Sequence, residues 1–300
     1  MTGEPMKQRT LTLRQSLKTG TERLEKAGIP EASLDAWFLL SHVTGKDRAY
    51  YYGHPDQELT EAEEEAYLGA LEKRGRRIPL QHITRQQEFM GYVFHVNEHV
   101  LIPRQDTEIL VEEALGFLKQ GDSVLDMCTG SGCILLSLLK MARERKGISG
   151  LRGTGADISE TALEIAAVNA RELEQDVTFI KSDLFSEFPL PEESGEHFQM
   201  IVSNPPYIPT EVIEGLQDEV RLYDPRIALD GKEDGLYFYR RITEESVRYI
   251  EDGGVLLFET GHDQGEAVAG LMRQAGYRQV QIKKDLAGLD RVVRGVYNVG

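Results

Sequence analysis

The stretch Ser123-Val124-Leu125-Asp126-Met127-Cys128-Thr129-Gly130-Ser131-Gly132 decides the fold. Ser123–Met127 is a short apolar run suited to a buried strand. It gives way at once to small residues and glycines, and a helical pattern starts at Cys133. Strand, glycine turn and helix together form the opening unit of a parallel sheet covered on both faces. In such sheets ligands bind outside the carboxyl ends of the strands. Gly130 and Gly132 allow a ligand to approach the backbone closely, and the helix start offers free N–H groups and a positive dipole end. The dinucleotide fingerprint GxGxxG is incomplete, with Leu135 in its last place, which argues against an NAD-dependent oxidoreductase.

Beyond this unit the chain keeps alternating strand and helix. Strands are predicted at 153–157, 177–180, 199–203 and 255–259. A closing antiparallel pair is predicted at 279–284 and 291–296, joined by the turn Leu286-Ala287-Gly288-Leu289. Leu190 to Glu196, rich in Pro, Glu, Ser and Gly, reads as a surface loop. Upstream, residues 1–84 read as a helical bundle. Leu13, Leu17 and Leu24 share a face that ends at Ala27-Gly28, and Leu34 to Val43 stops at Gly45. A short helix follows Asp47, and Thr60 with Glu63 has capping-box spacing for a helix reaching about Gly75. Residues 85–103 change to strand formers punctuated by Gly91 and Asn97, a β-hairpin linker. Thr107 is placed to cap a helix starting at Glu108, and a third segment runs from 104 to 300.

The 300 residues carry a net charge of −16, unevenly spread. Residues 1–80 hold 12 Lys and Arg against 13 Asp and Glu; the remainder hold 22 against 37. So acidic a segment is a poor stand-alone nucleic-acid binder, and a basic protein partner suits it better. Lys73, Arg74, Arg76 and Arg77 form the one basic cluster, read as a solvated helix end. No apolar run is long enough to span a bilayer, and Met1 to Thr10 lacks an apolar signal-like segment. Cytoplasm and a monomeric state are expected. Cys128 and Cys133 share one loop with no second pair, so neither a disulfide framework nor a metal site is expected.

Further positions carry chemistry. Asn204-Pro205-Pro206-Tyr207 follows the strand Met200–Ser203. The prolines stiffen the backbone, Asn204 offers an amide oxygen to an NH2 group, and Tyr207 offers an aromatic face. Asp157 closes the second strand, where a carboxylate can accept from ribose hydroxyls; Ser159 is the better helix cap there. Asp183 follows the third strand, with either an adenine amino group or its own loop to serve. Glu259 closes the fifth. Arg104 and Thr107 are placed for the mouth of the same site.

With these residues assembled, the chain resembles the HemK/PrmC-type protein-(glutamine-N5) methyltransferases. The matching segments are Pro79 to Thr84, Glu88 to Gly91, Leu101 to Glu108, Asp126 to Cys133, Ser182 to Phe185, Ile201 to Ile208 and Gly288 to Val293. The resemblance implies a Rossmann-like class I S-adenosylmethionine-dependent methyltransferase sheet, an N-terminal helical substrate-recognition bundle and a hairpin linker. It implies methyl transfer to the Gln side-chain nitrogen in the Gly-Gly-Gln tripeptide of class-1 peptide chain release factors. By that resemblance Cys128, Thr129, Gly130, Ser131 and Gly132 hold the methionine moiety of the cofactor, Asp157 the ribose, and Asp183 with Leu184 the adenine. Asn204, Pro205, Pro206 and Tyr207 hold the glutamine, with Asn204 also beside the cofactor. Three positions depart from the family pattern: Arg85 and Lys232 stand where glycine is usual, and Thr260 where Ile is common. An adenine-N6 methyltransferase shares the tetrapeptide and is the rival reading. A non-catalytic S-adenosylmethionine-binding assembly factor is the second.

Overall fold

A computed structural model describes residues 10–195 and 197–298. The polar N-terminus before Thr10, and Glu196 at the end of the expected 190–196 loop, lie outside the described residues. The chain divides into two compact units, one ending at Arg85 and the other beginning at Gln86.

The first unit is helical: α1 (Leu13–Lys26), α2 (Ala32–Thr44), α3 (Arg48–Gly53), α4 (Glu61–Gly75) and α5 (Leu80–Thr84). Thr12 and Thr60 open α1 and α4 with reciprocal capping boxes to Gln15 and Glu63, each satisfying two otherwise unpaired backbone donors. Leu24, Leu39, Leu40, Tyr67 and Leu71 form its core. The solvated-cluster reading of residues 73–77 fails at Arg74. That side chain is buried, donates through Nε to Asp35 Oδ2 at 2.7 Å and reaches the Ile78 carbonyl at 3.2 Å. Its carboxylate partner sits on α2, so no local pattern marks it.

The second unit opens with a hairpin, β1 (Gln86–Phe89) and β2 (Tyr92–His95), followed by α6 (Glu108–Leu115). Phe89 and Phe94 are buried in this unit's core. Then come β3 (Ser123–Met127), α7 (Cys133–Lys146), β4 (Arg152–Asp157), α8 (Glu160–Glu172) and β5 (Val177–Lys181). The chain continues with α9 (Pro191–Ser194), β6 (Phe198–Ser203), α10 (Asp218–Tyr223), α11 (Arg226–Leu229) and α12 (Tyr237–Ser246). It ends with β7 (Ile250–Glu259), α13 (Gly265–Gln274), β8 (Tyr277–Lys284) and β9 (Asp290–Tyr297). The seven strands order as β5-β4-β3-β6-β7-β9-β8. The first five are mutually parallel, and β9 runs antiparallel to both β7 and β8. The sheet and its helices are those of the class I methyltransferase architecture.

This topology places the site. After β3 the chain builds outward through β4 and β5, then returns to add β6 on the other side. The order reverses between β3 and β6, and a crevice opens at their carboxyl ends. Residues of α6 and α7 such as Val111, Leu135 and Leu138 are buried on one face; Tyr239, Ile242, Val268 and Met272 of α12 and α13 are buried on the other.

Some expectations shift. Pro191 starts a one-turn helix where a loop was expected, using its fixed φ at the first helical position. Strand β7 begins at Ile250, which pairs with Phe198 across a register shift. The acidic and glycine residues Glu251 to Gly254 disguise that start. Arg85 and Lys232 sit at φ of 61° and 71°, the left-handed region that glycine enters without steric cost. Thr260 is fully buried, and its hydroxyl has no hydrogen-bond partner among the described residues.

Candidate active site

A cavity of about 300 Å³ occupies the crevice, at the small end of the range for small-molecule sites. Its floor is the β3–α7 loop. Cys128, Gly130 and Gly132 all take positive φ, at 62°, 54° and 78°, which turns the chain sharply. The loop is pinned from beneath: Thr129 N–H donates to the Ala156 carbonyl at 2.9 Å, and Thr129 Oγ1 donates to Asp126 Oδ2 at 2.6 Å. Asp126 is fully buried, and burial lifts its carboxyl to about 7 against the pull of Thr129 and the Leu135 amide. Burial and the neighbouring carboxylates likewise push the Cys128 thiol up, so it is an inert wall.

Asp157 ends β4 on the cavity wall. Its Oδ2 accepts the Gly130 N–H and its Oδ1 the Ser159 N–H, both at 2.9 Å. Burial raises its pKa, and these backbone donors oppose the rise. Ser159 does cap α8, accepting the Ala162 N–H. Asp183 and Leu184 also line the cavity. Asp183 Oδ1 is held by Arg241 Nη1 of α12 at 2.9 Å, a partner no sequence pattern announced. Ser182 Oγ donates to the Leu184 carbonyl at 2.6 Å and fixes the turn.

Asn204 and Pro206 line the cavity, whereas Pro205, Tyr207 and Gly132, the last being the cap residue of α7, are not among its lining residues. The tetrapeptide backbone is tightly held. Gln264 Nε2 donates to the Tyr207 carbonyl at 3.0 Å. A Cβ at Gly231 would lie only 2.7 Å from Tyr207 Cα, so the 231–235 loop packs directly on the tetrapeptide. Among the described residues no backbone donor reaches the Pro205 or Pro206 carbonyl. Burial, then the charge of Glu259, pushes the Tyr207 hydroxyl up to about 12, so it is a neutral donor.

Thr107 caps α6 by position only. Its backbone is already helical, its side chain makes no cap bond, and its hydroxyl accepts from Asn204 Nδ2 at 3.5 Å. Glu259, next to Asn204 across the β6–β7 register and 2 % exposed, completes this corner. Burial raises its carboxyl to about 7, with Thr107, Arg291 and Asn204 pulling down and Asp106 pushing up. The Asn204 Nδ2 is turned toward Thr107, which leaves Oδ1 for a ligand. Arg104 lines the cavity and pairs with Asp224 Oδ2 at 2.6 Å. The sequence reading missed Arg241, Asp224 and the apolar wall of Ile158, Ile227 and Phe238. Ile158 and Ile227 are exposed apolar side chains, and no local pattern ties any of these residues to the site.

Residues 15–84 match the PrmC N-terminal domain and residues 105–216 the methyltransferase small domain. A release factor glutamine methyltransferase of Caulobacter vibrioides is 40% identical over 96% of this chain and 98% of its own length. The chain belongs to the release factor glutamine methyltransferase family. The Clostridium acetobutylicum member is 40% identical over 87% of this chain and 90% of its own. Among solved structures, the T. thermophilus 16S rRNA N2 G1207 methyltransferase has a TM-score of 0.50 at 17% identity, covering 71% of this chain and 50% of its own, a likeness of fold.

Membership makes this chain an S-adenosylmethionine-dependent methyltransferase, and the cavity fits that cofactor. Gly130 has no protein atom within 4 Å of where a Cβ would stand, so the loop forms a cradle open to a ligand. The donor set is also suitable. Asp157, on the cavity wall, offers carboxylate oxygens that can accept from a diol. Among the described residues no helix is long and apolar enough to cross a membrane.

Proposed function

We propose that this protein methylates the side-chain amide nitrogen of the Gln in the Gly-Gly-Gln tripeptide of a class-1 peptide chain release factor. The observation that carries the proposal is the orientation of Asn204, whose NH2 faces the Thr107 hydroxyl at 3.5 Å while its amide oxygen is left for a ligand at the cavity it lines. S-adenosylmethionine, when bound, supplies an electrophilic methyl carbon. Cys128 to Gly132 would cradle its methionine part, Asp157 its ribose, and Asp183 and Leu184 its adenine.

An amide nitrogen is a weak nucleophile because its lone pair is delocalised into the carbonyl. Asn204 Oδ1 and the unoccupied Pro205 carbonyl accept the two amide protons and turn the lone pair toward the cofactor side of the crevice. The prolines and the packed Gly231 loop keep these acceptors from relaxing. Tyr207, neutral and partly buried, closes the acceptor pocket against water. The gain is positioning and electrostatic preorganisation with no covalent intermediate. The excess proton leaves after transfer, when the nitrogen has become acidic. Residues 1–84 serve substrate recognition, the 85–103 segment joins it to the catalytic residues 104–300, and the enzyme works as a cytoplasmic monomer.

Mass spectrometry tests this. A release factor incubated with enzyme and cofactor is expected to gain one CH2 on the tripeptide Gln. Methyl transfer to DNA adenine, with none to the release factor, would overturn the proposal in favour of a nucleic-acid substrate.

A further inference from the structure

Residue Asn169 on α8 is buried to 1 % exposure and lies outside the cavity. Its amide joins two segments far apart in sequence. Nδ2 donates to the Ser131 carbonyl at 2.9 Å and to the His95 carbonyl at 3.1 Å, and Oδ1 accepts the His95 N–H at 2.7 Å. Ser131 belongs to the glycine loop. His95 ends the hairpin, and the chain that leaves it forms the opposite wall: His99, Val100, Leu101, Pro103 and Arg104 all line the cavity.

The apolar contacts of α8 repeat the pattern. Val96 and Val100 pack on Ala162 and Ile165. On the loop side, a Cβ at Gly132 would come within 3.3 Å of the Ala166 Cβ, so α8 abuts the loop. One helix thus braces both walls. It is joined to both of them by one buried side chain using both amide protons and its oxygen, and Glu172 at its end adds an ion-pair contact to the His95 ring at 3.0 Å. A buried amide satisfied by three backbone groups holds one geometry, because any rotation leaves several unpaired polar atoms in the interior.

We propose that Asn169 is a positioning residue for the cofactor, setting the spacing between the glycine loop and the 95–104 strap without touching the ligand. This rests on the cofactor assignment of the cavity and is independent of the methyl acceptor.

The test is Asn169→Asp, which keeps the shape and the acceptor for His95 N–H but, with at most one O–H, cannot donate to both carbonyls. Calorimetric titration with S-adenosylhomocysteine is expected to show a Kd raised about tenfold or more, the usual scale for an unsatisfied buried group. The turnover number at saturating cofactor and the KM for the protein substrate are expected within about threefold of wild type, since Asn204 is untouched. A folded variant with unchanged Kd, or with turnover reduced as much as affinity, would overturn the idea. Hydrogen exchange on the wild-type protein gives a second readout that no folding defect can obscure. S-adenosylhomocysteine is expected to slow exchange at His95 together with the Gly130–Gly132 amides. Protection of the loop alone would show the two walls to be uncoupled. Normal cofactor binding with no methylation of a release factor would instead count only against the substrate assignment.

Discussion

Alanine at Gly130 and at Gly132 separates backbone strain from loss of ligand space. Both glycines adopt the left-handed conformation, at φ of 54° and 78°, so either substitution carries a strain of about 1–2 kcal/mol. For a domain of this size that lowers Tm by about 2–8 °C. The surroundings differ. A methyl at Gly132 meets Leu136 Cδ1 at 3.1 Å and Ala166 Cβ at 3.3 Å, whereas one at Gly130 meets nothing within 4 Å. Gly132→Ala therefore adds crowding within the fold and is expected to be the less stable variant. Gly130→Ala places its methyl where the ligand belongs; overpacking on the scale of about 1–3 kcal/mol corresponds to a rise in Kd of about 5- to 150-fold. Thermal melts of the free proteins and calorimetry with S-adenosylhomocysteine measure the two effects separately. Wild-type affinity in Gly130→Ala would refute the placement of the cofactor on this loop. A larger affinity loss in Gly132→Ala than in Gly130→Ala would refute the reasoning from ligand space.

Asn204→Ala is expected to slow single-turnover methylation by about 10²-fold or more while leaving the S-adenosylhomocysteine Kd within about threefold; rapid-quench assays and calorimetry check both. Glu259→Gln probes the buried carboxyl with a raised pKa. Its folded pKa of about 7 lies above the ordinary glutamate value of 4.5, so its favourable contribution is complete below 4.5 and lost as pH rises through 7. The Gln variant cannot ionise, and its Tm relative to wild type is expected to climb between pH 5 and pH 8; a flat difference would contradict the shift. Thr260→Val removes a buried hydroxyl without a partner and is expected to stabilise by about 1 kcal/mol, read in urea denaturation. Lys232→Gly, at φ of 71°, relieves about 1 kcal/mol of left-handed strain, offset in part by the greater freedom of the unfolded chain. A Tm lowered by several degrees would show that the lysine side chain outweighs the strain.

Alternation of short apolar runs with helical periods announced the parallel sheet, and the glycine loop marked where its first strand turns. Both signals are local, which is why they survive in one sequence. The strand ends Asp157, Asp183 and Asn204 were legible for the same reason: each follows an apolar run, and the topology carries them to one edge. What stayed hidden depends on partners distant in the chain. Arg74 looks like one more surface charge until Asp35 of α2 is placed beside it. Thr107 has the composition of a helix cap, but its backbone is already helical and its hydroxyl turns to Asn204, 97 residues away. The positive φ at Arg85 and Lys232 is masked because the residues that would have advertised it are absent. Asn169, mid-helix, carries no sequence sign of its three backbone partners.

The reversal of strand order at β3 has a consequence for descent. The glycine loop, Asp157 and Asp183 are laid down before the chain crosses back, and the tetrapeptide and its packing loop afterwards. Ser203, bonded through its hydroxyl to the Met127 carbonyl at 2.6 Å, is the seam. Substitution downstream of that seam can exchange one amide- or amine-bearing acceptor for another while the strands and loops before it stay intact.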